Sequence, residues 1–297
     1  MGLREVAILA IIQGLTELLP VSSSAHVILA ERLMGLDPAS PSMAFLLVTL
    51  HTGTMLAVLV YFWPRWRARL RPPRSPGGAT ATHGAPNFIG LVLLATACTG
   101  LLGLGLKVVI ERGVLVRRLG DAPGEVEHLF RNLPLIAGAL LAAGVLILVA
   151  GARAEGRDGR APVTAGAAVR IGVVQALCLP FRGFSRSGAT ISTALLCQIP
   201  RALAEDFSFA LGVTLTPPVV LLELRRLLQS AGGSGLSGPG VLALLGPGVL
   251  GLVLSGLAGL LALRWLSAWL EQGRWRYFGY YCCGFAAVVL LAAWRGW

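Results

Sequence analysis

Two polar stretches interrupt an otherwise apolar chain, and their side chains are the components of a phosphoryl-transfer site. The first runs from Gln13 through Thr16, Glu17, Pro20, Ser22, Ser23 and Ser24 to His26. The second runs from Gln175 through Pro180, Arg182, Gly183, Ser185, Arg186, Ser187 and Gly188 to Thr190. A carboxylate, an imidazole, several hydroxyls and a guanidinium can together move a proton, attack phosphorus and neutralise charge. Hydrolysis of a phosphate ester or anhydride needs all three. Such groups are costly in hydrocarbon, so in an apolar chain they mark a site that faces inward.

The spacing places these groups on helix ends. Gln13 and Glu17 are four apart and share one face of a first half-helix. Pro20 ends that helix, and Ser22 is suited to cap the next one through its side chain. The first turn after Ser22 then offers the backbone N–H groups of Ser23, Ser24 and Ala25 to an anion, aided by the helix dipole. Ser23 and His26 are three apart and can face the same point. In the second stretch Gly183 permits an unusual turn and Ser185 caps a helix that begins Arg186-Ser187-Gly188. Arg186 in a first turn opposes the dipole unless an anion sits there, and Thr190 adds a hydroxyl one turn on. Ser22, Ser24, Ser185, Ser187, Gly188 and Thr190 are therefore the expected phosphate-binding set, around Glu17, Ser23, His26 and Arg186. Blander roles exist for each. The serines serve equally as plain caps, His26 as a structural hydrogen-bonder, and Glu17 with Arg186 as an ion pair that joins two hairpins.

The elements that carry these stretches follow from composition. Of 297 residues, 55% are hydrophobic and 13% charged, about half the usual charged share of a soluble domain. Mean hydropathy is +0.75, and the long Leu/Val/Ala/Gly runs do not alternate as barrel strands would. The chain therefore reads as an all-α polytopic membrane protein with a single integral membrane domain over 1–297. Six spans are expected near 41–62, 87–108, 133–151, 205–227, 239–265 and 277–296, each close to the ~20 residues that a bilayer requires. The stretches near 3–33 and 166–200 are interrupted by polar residues and proline. They are expected to be re-entrant helical hairpins, since irregular backbone at depth is tolerated only under cover of protein or water. One hairpin and three spans then occur twice, in 1–151 and 152–297, and three crossings invert the second copy. The arginine-rich connections 63–86 and 152–170 place those sides in the cytoplasm and both termini outside, although the 107–132 connection is also basic. Glu5 and the Gln13-Thr16-Glu17 interruption argue against a cleaved signal peptide at the start. The five cysteines lie in apolar stretches without metal-ligand spacing and read as small buried hydrophobes.

The stretches Gln13–His26 and Arg182–Ser192 resemble the two signature motifs of the undecaprenyl-diphosphate phosphatases, the bacitracin-resistance family of bacterial integral membrane enzymes. Supporting similarity lies in Leu50-His51-Thr52-Gly53-Thr54 and in Glu205-Asp206-Phe207-Ser208-Phe209. The resemblance implies removal of the terminal phosphate of undecaprenyl diphosphate, which regenerates the lipid carrier for peptidoglycan synthesis and confers bacitracin resistance. It also implies a location in the bacterial cytoplasmic (inner) membrane, a divalent cation (Mg or Ca), and the re-entrant inverted-repeat fold. Two departures stand out. Gln13 occupies a position where the family often has Glu, and Pro180-Phe181-Arg182-Gly183 replaces a shorter Pro-Gly.

The expected mechanism brings the diphosphate of a polyprenyl lipid into the site head first, with its tail among membrane lipids. Arg186 and the hairpin N–H groups neutralise the transferring phosphoryl group. Glu17 holds the cation, with Gln13 adding its carbonyl oxygen. Ser23 attacks after activation by His26, with attack by His26 itself or by water as the open alternatives. No nucleic-acid partner is expected, and a homodimer is left open. A lipid-phosphate flippase or transporter without chemistry is the competing function, since broken helices at midplane also serve carriers. His26 is the sequence feature that separates the two, because a carrier has little need of an imidazole beside a cradle serine.

Overall fold

Runs of Leu, Ala, Val and Gly that never settle into alternation satisfy their backbone groups internally, and every regular element among the described residues is helical. The computed structural model describes residues 2–36, 41–70, 88–110, 132–234 and 238–295. Among these the elements are α1 (Leu3–Leu18), α2 (Ser23–Leu33), α3 (Pro41–Leu70), α4 (Phe88–Val109), α5 (Leu133–Arg153), α6 (Ala165–Cys178), α7 (Arg186–Leu196), α8 (Arg201–Ser234), α9 (Gly238–Glu271) and α10 (Trp275–Trp294), with no strand among the described residues. Arg71, Arg74 and the acidic and basic residues of 111–131, which bear on orientation, lie outside the described residues.

Among the described residues, five helical stretches are long and apolar enough to cross a membrane: Met43–Arg69, Phe88–Val109, Leu133–Arg153, Gly246–Glu271 and Trp275–Trp294. The chain is a multi-pass membrane protein. The sixth expected span, 205–227, lies within α8, where several side chains from 219 onward lie outside the described residues.

The two expected hairpins are present as pairs of short helices. α1 and α2 have 16 and 11 residues, and α6 and α7 have 14 and 11. At 1.5 Å per residue none exceeds about 24 Å, short of a ~30 Å hydrocarbon core. Both first halves stop just before their proline, at Leu18 before Pro20 and at Cys178 before Pro180; Leu19 is extended, as proline prefers of the residue ahead of it, whereas Leu179 keeps helical backbone angles.

Close packing between helices rests on small residues, as expected where lipid removes most of the hydrophobic drive for association. A Cβ at Gly14 of α1 would lie 2.5 Å from the Ser255 carbonyl oxygen of α9, and one at Gly172 of α6 would lie 2.5 Å from the Ala95 carbonyl oxygen of α4. α10 packs along α5, and α3 packs on α8 and α9. The α3–α8 contact is fixed by a buried ionic cluster. Arg65 Nε lies 2.8 Å from Asp206 Oδ1 and its NH1 3.0 Å from Glu205 Oε2, while Arg69 Nε donates to Asp206 Oδ2 at 2.7 Å. Trp66 donates its indole N–H to the Asp206 carbonyl at 3.2 Å. This cluster holds together the two helices that wall the site.

Candidate active site

Glu17, near the C-terminal end of α1, is the hub. Its Oε2 accepts from Ser23 Oγ at 2.5 Å and from Gln13 Nε2 at 3.1 Å, and its Oε1 lies 3.3 Å from Arg186 NH2. Both side chains of the ion pair are partly covered, with Glu17 17% and Arg186 27% exposed. The helical spacing of Gln13 and Glu17 delivers the first contact. The tight turn between α1 and α2 swings Ser23 back onto Glu17, and the tip of the second hairpin delivers Arg186.

The hairpin tips also touch directly. Gly183 N–H donates to Ser24 Oγ at 3.2 Å, and Ser187 Oγ donates to the Leu19 carbonyl at 3.3 Å. Gly183 has φ +101°, a value open to glycine and strained for other residues. Ser185 caps α7 by accepting from Gly188 N–H at 3.2 Å, as the sequence indicates.

A cleft opens above this hub between α1, α3, α7 and α8. Glu17, His51, Thr54, Arg186 and Thr216 supply its polar lining, and Met55, Val58, Phe209 and Val213 its apolar wall. Of the residues expected from sequence, Glu17 and Arg186 line the cleft. Ser22, Ser23, Ser24, Ser185, Ser187, Gly188 and Thr190 do not, although Ser23 reaches it through Glu17.

Three expectations are corrected. Ser23 and His26 do not pair: Ser23 is bonded to Glu17, while His26 Nδ1 lies 2.7 Å from the Ser22 carbonyl oxygen and Nε2 2.7 Å from Tyr281 Oη. Both residues lie on α2, but each side chain is drawn to a partner on another helix, Ser23 to Glu17 of α1 and His26 to Tyr281 of α10. Ser22, with φ +67°, precedes α2 without a side-chain cap, and its hydroxyl lies 3.2 Å from Ser24 Oγ. That leaves the first-turn N–H groups of α2 without a serine side chain across them, which suits an anion. Finally, Thr190 is fully buried, donating to the Arg186 carbonyl at 2.8 Å and lying 2.5 Å from Ser208 Oγ. It braces α7 against α8.

Sequence reasoning missed His51. It sits on α3 with Nε2 3.9 Å from Glu17 Oε2, its side chain 41% exposed to the cleft, and Nδ1–H donating to the Leu47 carbonyl at 2.8 Å. The signal was present, since a histidine in the middle of an apolar span marks function by default. Gly212 was missed too. A Cβ there would stand 3.0 Å from Arg186 NH1 and 3.2 Å from its Cζ, so the missing side chain makes room for the guanidinium.

The fit to a divalent cation can be judged from the donors. Glu17 is the one carboxylate lining the cleft, and no group of three His, Cys, Asp or Glu side chains suited to a metal occurs among the described residues. Ca²⁺ takes six to eight oxygens, waters and carbonyls included, and Mg²⁺ is commonly held by one or two carboxylates plus substrate phosphates, so either would draw most of its oxygens from beyond Glu17. Gln13 presents its amide nitrogen to Glu17, not the carbonyl expected of a ligand; that choice follows from the hydrogen-bond network.

Known proteins similar to this chain cover most of its length. The family described as bacitracin resistance protein BacA matches residues 6–288. Undecaprenyl-diphosphatase 2 of Acinetobacter baylyi is 53% identical over 294 residues, covering 99% of this chain and 99% of that protein. Undecaprenyl-diphosphatase of Desulfosudis oleivorans is 38% identical over 229 residues, covering 73% and 74%. The undecaprenyl-diphosphatase of Rhodopirellula baltica is 30% identical over 291 residues, covering 97% of each. With the family model matching residues 6–288 and two of these relatives covering 97% and 99% of it, the chain belongs to the bacitracin resistance protein BacA family.

Proposed function

We propose that this chain hydrolyses undecaprenyl diphosphate to undecaprenyl phosphate and inorganic phosphate in the bacterial inner membrane, with Ser23 as nucleophile and Glu17 as its base. The observation that carries this reading is the 2.5 Å hydrogen bond from Ser23 Oγ to Glu17 Oε2, with Arg186 3.3 Å from the other carboxylate oxygen. The relatives named above as undecaprenyl-diphosphatases support the substrate.

The diphosphate enters the cleft against Arg186, and the tail leaves along Met55, Val58, Phe209 and Val213. Ser23 Oγ bonds to the terminal phosphorus as the bond to the bridging oxygen breaks, and its proton passes to Glu17. Undecaprenyl phosphate departs with the bridging oxygen. Water then attacks the phosphoserine, phosphate leaves, and Ser23 recovers a proton from Glu17. Arg186 balances the charge on the transferring group throughout. Glu17 and the phosphate oxygens of the substrate would hold a Mg²⁺-type cation, which when bound spreads the diphosphate's negative charge.

The repeat is part of the same proposal. α1 packs on α9 as α6 packs on α4, each through a glycine, and the two hairpins meet tip to tip. This supports two inverted copies, 1–151 and 152–297, with the site at their junction. A carrier without chemistry would use the same fold. His26 no longer separates the two readings, because its ring is occupied elsewhere; the Ser23–Glu17 bond does, because a carrier has no use for an activated hydroxyl. The test is phosphate release from undecaprenyl diphosphate by purified protein, with and without chelator. Release that requires Ser23 supports the proposal, and lipid binding without release under any cation sinks it.

A further inference from the structure

The hydrogen bonds of His26 account for both of its ring nitrogens. Nδ1 lies 2.7 Å from the Ser22 carbonyl, which can only accept, so Nδ1 carries the proton. Nε2 of the neutral ring then accepts from the Tyr281 hydroxyl at 2.7 Å. Phe285, one turn further along α10, lies parallel to the imidazole at 3.9 Å between centroids and 6° between planes. Two side chains of the last helix thus set the tautomer and the orientation of this ring.

The ring in turn holds Ser22. That residue has φ +67° and ψ 95°, a backbone state that non-glycine residues keep only where their surroundings impose it. Its conformation decides the direction of the next two side chains, Ser23 onto Glu17 and Ser24 onto Gly183 N–H. We infer that His26 is a positioning residue and not the acid–base group: with Tyr281 and Phe285 it clamps the Ser22 carbonyl, and through that turn it aims the Ser23 hydroxyl. Tyr281 and Phe285 are thereby assigned to the reaction at one remove, although both lie far along the chain from either signature stretch. The inference rests on the reading of Ser23 as nucleophile.

The test compares His26→Asn, His26→Ala, Tyr281→Phe and Ser23→Ala in purified protein, reading kcat, KM and the pH profile. Asparagine keeps an N–H near the Nδ1 position and can still hold the Ser22 carbonyl, but it cannot exchange a proton. His26→Asn is expected to retain at least about tenfold more turnover than His26→Ala, with the wild-type pH profile and an unchanged KM, since one hydrogen bond is preserved and Arg186 is untouched. Tyr281→Phe is expected to lower kcat about three- to tenfold at constant KM, the loss of one hydrogen bond. If Ser23→Ala is inactive while His26→Asn is as inactive as His26→Ala, or lacks a limb of the wild-type pH profile, the positioning role is overturned. Tyr281→Phe with wild-type kcat overturns it as well. An active Ser23→Ala instead overturns the nucleophile reading beneath it, so the two failures are distinct.

Discussion

Replacing Glu17 by Gln changes one oxygen to nitrogen and removes one charge, which makes it the sharpest perturbation of the site. In the wild type the carboxylate takes a 2.5 Å hydrogen bond from Ser23, a 3.1 Å one from Gln13 and an ion pair at 3.3 Å from Arg186. An amide can still accept from Ser23, but it cannot take the proton. Loss of a positioned general base costs about 10²–10⁴ in rate, or roughly 3–5 kcal/mol of barrier. The stability cost is smaller. Arg186 keeps 27% exposure and therefore water, so losing its partner costs well under the ~3–5 kcal/mol of a fully buried pair. Glu17→Gln should thus purify folded, melt slightly below wild type, and turn over at least about 100-fold more slowly. Phosphate release and thermal unfolding in the same detergent measure both. The double variant Glu17→Gln/Arg186→Gln separates chemistry from scaffolding: a structural pair predicts recovered activity once both charges are gone, and our account predicts none. Glu17→Gln within tenfold of wild-type turnover, or an active double variant, would refute the reasoning.

Gly212→Ala should displace the Arg186 guanidinium and lower kcat about tenfold, given that a misplacement of 1 Å can cost about 100-fold; in an Arg186→Lys background the same change should cost much less. Gln13→Glu sets a second carboxylate against Glu17, where an amide nitrogen now sits at 3.1 Å. Like charges at that distance resist joint ionisation, so its turnover should depend more steeply on divalent cation, and a titration superimposable on wild type would contradict this. Asp206→Asn leaves Arg65 and Arg69 without their shared carboxylate, and since both arginines keep water and Arg65 keeps Glu205, it should destabilise the protein by about 1–2 kcal/mol, visible as a lowered melting temperature.

The helical class and the helix–break–helix form of both polar stretches were legible because hydropathy, proline and helical spacing are local properties. Gln13 and Glu17 meet as their four-residue spacing requires, and Ser185 caps as its position predicts. The Ser23–His26 pairing was misread because both side chains, though on one helix, take partners from other helices, Glu17 of α1 and Tyr281 of α10. Tyr281, Phe285 and Gly212 were invisible for a different reason. Each acts on a residue brought near only by the packing of a distant helix, α10 on His26 and α8 on Arg186. His51 lay between. Its polarity inside a span was readable, but its proximity to Glu17 depends on how α3 packs beside α1.

The central claim is that Ser23 is the attacking group at a site built by two hairpins. Rapid mixing of purified protein with undecaprenyl diphosphate labelled in the terminal phosphate, followed by quenching and peptide mass spectrometry, tests it most directly. Our account predicts label on Ser23 during turnover, little label when Glu17 is replaced by Gln because the attack itself is slowed, and no label in Ser23→Ala. Turnover with Ser23 unlabelled at every time point, together with an active Ser23→Ala, would contradict it.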